Sequence, residues 1–237
     1  MNKFRVPTVV NIHDVDFNGV VKTSAIMRYI QTAAQDQLTY NGMSYDQLKS
    51  MGRAFILSRF KLEVEKPLRA YTPLVAVSYP CESRGYSFLR CYELLCDGEA
   101  VAKAISVWAL VDTENRALVR VNDFELGLPT LPPLSLTLGT MKLPSGLIDV
   151  GGYGVHYGDV DQNRHMNNTK YPDMYSNFLP LDNRMIKSIS INYLNEAAIG
   201  DKMRVQRTEY DGKFYFRTVR GDGKVNSEAE IQLADID

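Results

Sequence analysis

The sequence predicts an α+β protein built from two similar units in tandem. A five-residue pattern, D-V-D-x-N, occurs at residues 14–18 and again at residues 159–163, 145 positions later. Each copy is followed by apolar residues at helical spacing, and then by segments that alternate between apolar and polar residues. Because a sheet buries one face against an amphipathic helix, each half of the chain can form its own core.

Helical spacing in the first unit predicts a long helix from residue 23 to about residue 40. Thr23 or Ser24 can cap its N-terminus, and the Asn-Gly pair at 41–42 is a typical stop. A short insertion follows, in which Ser44-x-x-Gln47 resembles a capping box and Gly52 ends a second helix.

A matching helix is predicted in the second unit. Its apolar face has the spacing i, i+3, i+4, i+7 and consists of Tyr171, Met174, Tyr175 and Phe178. Pro172 suits a first helical turn, and Pro180 helps to end the helix.

Strands follow each helix. In the first unit we predict them at 60–64 and at about 74–80, 86–95 and 100–111. In the second unit we predict them at 189–193 and at about 202–210, 213–220 and 226–234. Residues 101–111 are apolar on both faces, which is expected of a central or covered strand.

A proline-rich segment separates the two units. Residues 123–150 contain four prolines and several glycines and predict a linker that lies over the surface. The predicted organisation is an N-terminal unit at 1–122, the linker at 123–150 and a C-terminal unit at 151–237.

The composition is that of an ordinary globular protein: 45% of the 237 residues are hydrophobic, and the formal net charge is -1. Such a charge gives no overall attraction to nucleic acid or anionic membranes. Three cysteines without paired spacing predict neither a disulfide framework nor a metal site. The N-terminal segment lacks the apolar stretch of a secretory signal, and no apolar segment is long enough to cross a membrane. We therefore expect a cytoplasmic protein without metal or cofactor.

The second copy of the repeat brings together a carboxylate, an amide and an imidazole, at Asp161, Asn163 and His165. These groups can activate and orient a water molecule. Asp and Asn before a helix are also common caps and turn formers. The first copy repeats the Asp and the Asn but has Val20 in place of the histidine, a difference that capping alone does not explain.

Residues 161–171, DQNRHMNNTKY, resemble the D-x-N-x-H-x-N-N-x-K-Y motif of the acyl-acyl carrier protein thioesterase family. The chain resembles a bacterial relative of the plant fatty acyl thioesterases over essentially its whole length. The resemblance implies a double hotdog fold, in which each unit wraps an antiparallel sheet around a long helix. It also implies a hydrolase of fatty acid biosynthesis that cleaves the thioester of fatty acyl-acyl carrier protein and releases free fatty acid.

By this resemblance, the catalytic residues are Asp161, Asn163, His165 and, from a later strand, Glu196. A carboxylate, either Glu196 or Asp161, would act with His165 to deprotonate a water molecule, while Asn163 holds the histidine or the water. The sequence leaves open which carboxylate is the base.

Two comparisons refine this hypothesis. Plant members of the family often have a cysteine directly after the catalytic glutamate, and here that position is Ala197. The aligned position of Glu196 in the first unit is Pro67, so the first copy lacks both the histidine and the glutamate. The first comparison favours an activated water over a cysteine nucleophile, and the second places the chemistry in the second unit.

The resemblance further implies that the first unit encloses the acyl tail. Candidate lining residues are Ile26, Ile30, Phe55 and Trp108, although each could equally be ordinary core. The expected partner is an acyl carrier protein, which is acidic and should dock on a basic surface. The candidate basic residues are Arg53, Arg59, Lys61, Lys66, Arg69, Lys170, Arg184 and Lys187. Two hotdog units in one chain are compatible with a monomer or a homodimer.

Three other functions remain open from the sequence. The first is an acyl-CoA thioesterase on the same fold. The second is a double-hotdog dehydratase or hydratase, for which Asn163 and Glu196 would not be expected. The third is a non-catalytic acyl-binding protein, which should lack the catalytic residues. Chain-length preference cannot be predicted.

Overall fold

The computed structural model describes residues 3–236, which form eleven strands and three α-helices. The helices are α1 (Thr23–Tyr40), α2 (Tyr45–Ser50) and α3 (Tyr171–Ser176). The strands are β1 (Phe4–Val9), β2 (Arg53–Val64), β3 (Pro73–Pro80), β4 (Phe88–Cys96), β5 (Glu99–Asp112), β6 (Ala117–Val119), β7 (Ile148–Gly154), β8 (Arg184–Tyr193), β9 (Lys202–Tyr210), β10 (Lys213–Arg220) and β11 (Val225–Asp235). Among the helices of residues 3–236, none combines the length and hydropathy that a membrane span requires.

All strands belong to one antiparallel sheet, in the order β1-β3-β4-β5-β2-β8-β11-β10-β9-β7, with β6 paired to β5. The two units meet in the middle, where β2 pairs with β8 and places Phe60 opposite Ile191. These are the strands that the alternation at 60–64 and 189–193 predicts. Because each occupies the same place in its unit, the sheet continues from one unit into the other without an edge.

The first unit packs its long helix against the sheet as predicted. The buried face of α1 includes Ile26, Ile30 and Ala33, and Gly42 ends the helix with a φ of 73°. The predicted cap is wrong: Thr23 and Ser24 lie inside the helix, and the N-cap residue makes no side-chain hydrogen bond. The capping box at Ser44 is confirmed, because its side chain and that of Gln47 bond each other's backbone N–H groups.

The second unit does not contain the predicted long helix. Helix α3 has six residues and is preceded by a 3₁₀ turn at Asn168–Lys170. The side chain of Asn167 accepts the N–H of Thr169, which competes with an earlier helix start. Pro180 disfavours helical backbone at the residue before it, so the helix also ends early. Tyr171, Met174 and Tyr175 still bury their side chains, and this single apolar turn covers the sheet.

The linker covers the outer face of the first unit's sheet. Its leucines pack against a separate apolar cluster that contains Val77, Tyr79, Cys91 and Ile105. This cover explains why β5 is apolar on both faces. Strand β7 begins at Ile148, so the last three residues of the predicted linker belong to a strand.

Candidate active site

The motif of the second unit forms a tight turn at residues 161–165. The N–H of Asp161 donates to the carbonyl of His165 at 3.0 Å, and the N–H of Arg164 donates back to the carbonyl of Asp161 at 2.9 Å. The Asp161 carboxylate accepts the N–H of Asn163 at 2.8 Å. Arg164 adopts the left-handed backbone, with a φ of 64°. Asp161 therefore holds the turn, and Asn163 and His165 stand on either side of its corner.

The first copy of the motif forms the same turn. The N–H of Asp16 donates to the carbonyl of Val20 at 2.8 Å, and the Asp16 carboxylate accepts the N–H of Asn18 at 2.9 Å. At the corner, Gly19 takes the left-handed backbone with a φ of 68°. The aspartate and the asparagine N–H thus serve the same turn in both copies, and the histidine is the chemical difference.

The structure brings His165 next to Glu196, two of the predicted site residues. The Nε2 atom of His165 is 3.3 Å from the Oε2 atom of Glu196. The N–H of Met166 donates to the carbonyl of Ala197 at 2.7 Å, and Arg220 donates to the Glu196 carbonyl at 2.6 Å. The first bond joins the segment of His165 to that of Glu196, and the second ties the backbone of Glu196 to the end of β10. The side chains of His165 and Glu196 are 38% and 57% exposed, so water reaches the pair.

A matching backbone hydrogen bond in the first unit identifies the residue at the position of Glu196. There the N–H of Val21 donates to the carbonyl of Leu68 at 2.9 Å, which is the counterpart of the bond between Met166 and Ala197. Pro67 therefore occupies the place of Glu196. The first unit has neither an imidazole nor a carboxylate at these two positions.

Asn163 is bound across the two units. Its Oδ1 atom accepts the hydroxyl of Tyr45, the first residue of α2, at 2.8 Å. Within residues 3–236 its amide nitrogen donates to no protein group. Since Tyr45 fixes the oxygen, the amide nitrogen remains available to a ligand.

A cavity of about 1210 Å³ opens beside this turn and extends into the first unit. It lies between α1, α2, strands β2, β4 and β5, and the segment at 121–130. Asn163 lines it from the second unit, and the predicted Phe55 and Trp108 line it from the first. The rings of Phe55 and Phe88 meet edge to face, with centroids 5.3 Å apart, and form an apolar part of the wall.

The other two predicted lining residues, Ile26 and Ile30, are not in this cavity. Both are 1% exposed and pack in the core of the first unit. Helical periodicity identified the buried face of α1, but the helix turns a different face toward the cavity. That face is a mostly polar stripe that includes Arg28, Gln31 and Gln35.

Three arginines line the cavity, and they differ in their partners. Arg28 pairs with Asp14, and Arg53 pairs with Asp112, each at 2.6 Å. Arg90 is only 7% exposed, and the hydrogen bonds of its guanidinium go to Gln37 and Ser78, which are both neutral. Burial lowers the pKa of the Arg90 guanidinium, but an arginine keeps its charge at neutral pH even then.

Models of two consecutive domains match the chain. Residues 1–126 match the acyl-ACP thioesterase N-terminal domain, and residues 148–235 match the acyl-ACP thioesterase C-terminal domain. The chain belongs to the acyl-ACP thioesterase family. The unmatched residues between the two domains fall within the linker.

Curated relatives of this family are distant. The chain is 24% identical to oleoyl-acyl carrier protein thioesterase 2, chloroplastic, of Arabidopsis thaliana, over 81% of this chain and 59% of the relative. It is 23% identical to the Arabidopsis thioesterase 1, over 81% and 60%. The chain therefore spans about three fifths of the length of these plant proteins.

Solved structures of the family share the fold along the whole chain. An acyl-ACP thioesterase from Bacteroides thetaiotaomicron gives a TM-score of 0.89 at 17% identity and covers 97% of each chain. The 12:0-ACP thioesterase from Umbellularia californica gives 0.86 at 17% identity, over 98% of this chain and 97% of its own. These likenesses confirm the predicted α+β double hotdog, with the difference that its second helix is short.

Two residues of the site were missed from the sequence. Tyr45 lies in the insertion of the first unit, 118 positions from Asn163, and nothing local indicates their contact. Arg90 lies in a strand between Phe88 and Tyr92, where alternation assigns it to the buried face. The sequence feature that could have indicated Arg90 was a charged residue at a position where the alternation predicts a buried side chain.

Proposed function

We propose that this chain hydrolyses the thioester of a fatty acyl-acyl carrier protein and releases the free fatty acid, with water as the nucleophile. The observation that carries the proposal is the contact between His165 and Glu196, because His165 shares its turn with Asn163, and Asn163 lines the large cavity. Family membership supports the substrate class.

We assign the base to the pair of His165 and Glu196. The Nε2 atom of the imidazole faces the carboxylate, so a proton on Nε2 leaves Nδ1 free to accept the proton of a water molecule. The carboxylate then stabilises the imidazolium that forms. Asp161 is a positioning residue in this assignment, because its carboxylate already accepts an N–H of the turn.

Asn163 contacts the substrate in this mechanism. Its amide nitrogen donates to the thioester carbonyl, or to the oxygen that forms when water attacks. The phosphopantetheine thiol has a pKa of about 8.5, so it is a good leaving group. It departs as a thiolate. All three cysteines lie in the first half of the chain and Ala197 follows the glutamate, which supports water over a cysteine nucleophile.

The carrier protein would dock on fewer basic residues than the sequence predicts. Of the eight candidates, four are already paired with carboxylates of the same chain: Arg53, Lys61, Arg184 and Lys187. Lys170 is unpaired within residues 3–236 and belongs to the motif at 161–171. We therefore place Lys170 in the docking surface.

A comparison of thioesters tests the proposal. The chain should hydrolyse acyl-acyl carrier protein with a higher kcat/KM than the CoA thioester of the same acyl group. Lys170→Glu should raise KM for the carrier protein substrate and leave KM for the CoA thioester unchanged. Equal kcat/KM for both carriers would make the chain a general acyl thioesterase, and hydrolysis of neither would refute the function.

A further inference from the structure

Arg90 is a buried cation in the wall of the cavity. Strand β4 turns Phe88, Tyr92 and Leu94 toward the core, and Arg90 follows the same alternation. Burying a charged group costs several kcal/mol unless it is paired. A side chain of this kind in a core position therefore calls for a partner of opposite charge or strong acceptor character.

The protein supplies no carboxylate partner to Arg90 within residues 3–236. Both of its hydrogen bonds leave from Nη1, to Gln37 at 2.6 Å and to Ser78 at 2.8 Å. The more exposed Arg28 and Arg53 each have a carboxylate, although water could solvate them. The buried arginine is thus the one that lacks an acid.

A second residue of the cavity wall carries a buried donor. The Nε2 atom of Gln31 is buried and has no hydrogen-bond partner in the described structure. Gln31 and Arg90 line the same cavity, on α1 and β4 respectively. Both groups are donors, so a ligand that bonds to them would have to supply acceptors.

A purely structural role for Arg90 explains only part of this arrangement. Its Nη1 atom ties α1 to β3 through Gln37 and Ser78, but that tie uses two of five donors and requires no charge. An unbranched hydrocarbon chain in the cavity would leave the charge without a partner. An oxygen acceptor on the chain would satisfy it.

We infer that the cavity accepts an acyl chain that carries an oxygen acceptor away from the thioester, and that Arg90 binds this group. The acceptor is a carboxylate or a hydroxyl group. The inference rests on the proposed thioesterase function for the identity of the ligand as an acyl chain. It adds a selectivity that the family assignment does not contain.

The test uses thioesters on one carrier with plain, hydroxylated and carboxylated chains, over a series of chain lengths. For the wild type, kcat/KM for an oxygenated chain should exceed that for the plain chain by roughly tenfold or more at a preferred length, the scale of a charged hydrogen bond. Arg90→Met should abolish this preference, and Arg90→Lys should retain part of it. The matched control is Arg217→Met, which removes a paired arginine of the second unit and should keep the wild-type preference.

Binding of the free acids separates the two proposals. If no thioester is hydrolysed, the proposed function fails, and the affinities for mono- and dicarboxylic acids of equal length still test Arg90. Tighter binding of the dicarboxylic acid by the wild type, lost in Arg90→Met, supports the inference. A wild type that prefers the plain chain at every length, in hydrolysis and in binding, overturns it and leaves the proposed function intact.

Discussion

In the first copy of the D-V-D-x-N turn, the asparagine side chain bonds three backbone groups of the other unit, whereas in the second copy it bonds a single hydroxyl. Asn18 donates to the carbonyls of Leu181 and Arg184 and accepts the N–H of Asn183. Within residues 3–236, the Asn163 side chain accepts only from Tyr45, and its amide nitrogen donates to no protein group. One turn therefore clamps the two units together, and its counterpart is left open toward the cavity.

The two turns also differ in the titratable residues around them. In the first copy, the positions that correspond to His165 and Glu196 hold Val20 and Pro67, which are not titratable. In the second copy, His165 and Glu196 form a contact pair at these positions. The two copies of the turn thus differ both in their hydrogen bonds and in their titratable groups. The fully bonded Asn18 joins the two units, and the partly bonded Asn163 contacts the substrate in the proposed mechanism.

The largest effect should come from removing the pair. His165→Ala and Glu196→Ala should each lower kcat by about 10²-fold or more, the usual scale for a general acid–base group. The measurement is steady-state hydrolysis of the preferred thioester. In the first copy, Val20→Ala should cost roughly 1–3 kcal/mol of stability through lost packing, with kcat of the folded protein unchanged. A large loss of kcat in Val20→Ala would contradict the separation of tasks.

Substituting the two asparagines should give opposite results. Asn163→Ala should lower kcat on the order of 10²-fold, because it removes a positioned donor, and should barely change stability. Asn18→Ala should lower the free energy of unfolding by about 1–3 kcal/mol, because it leaves backbone groups between the units without their hydrogen-bond partner. Urea denaturation and kinetics on both variants check this. A larger loss of kcat in Asn18→Ala than in Asn163→Ala would contradict the different roles of the two asparagines.

Tyr45 should have a smaller effect through Asn163. Tyr45→Phe removes one hydrogen bond, worth about 0.5–1.5 kcal/mol, so kcat should fall about 2- to 10-fold. Asn163→Ala already removes the acceptor of that bond. Adding Tyr45→Phe to it should therefore cause no further loss, and a multiplicative loss would show that Tyr45 acts independently.

The smallest effect concerns the corner of each turn. Gly19 and Arg164 both have left-handed backbone, which costs a non-glycine residue about 1 kcal/mol. Arg164→Gly should therefore raise the free energy of unfolding by up to about 1 kcal/mol, and Gly19→Ala should lower it by a similar amount. Chemical denaturation measures both changes, and shifts of the same sign would contradict a shared turn geometry.

Local patterns predicted the fold well because most of its elements are defined by local periodicity. The strands β3, β4, β5, β9, β10 and β11 lie within two residues of their predicted bounds. The second helix was predicted too long, since apolar spacing from Tyr171 to Phe178 does not reveal that Asn167 and Pro180 restrict the backbone on either side. Spacing records which face is buried, whereas capping and proline effects decide where a helix begins and ends.

The site was predicted only in part because its contacts are not local. The motif identified Asn163 and His165, and family resemblance added Glu196, 31 positions beyond the histidine. Our proposal of Glu196 rather than Asp161 as the partner of His165 rests on the distance to His165 and on the N–H that Asp161 accepts. Ile26 and Ile30 were assigned to the cavity because burial in the core and burial against a ligand give the same helical pattern.

The most direct test of the central claim is a double-mutant cycle on His165 and Glu196, with kcat measured for the wild type, His165→Ala, Glu196→Gln and the double variant. If the two residues activate water as one unit, the double variant should lose no more activity than the more damaged single variant. Losses that multiply would show that the two residues act independently, and would contradict the account.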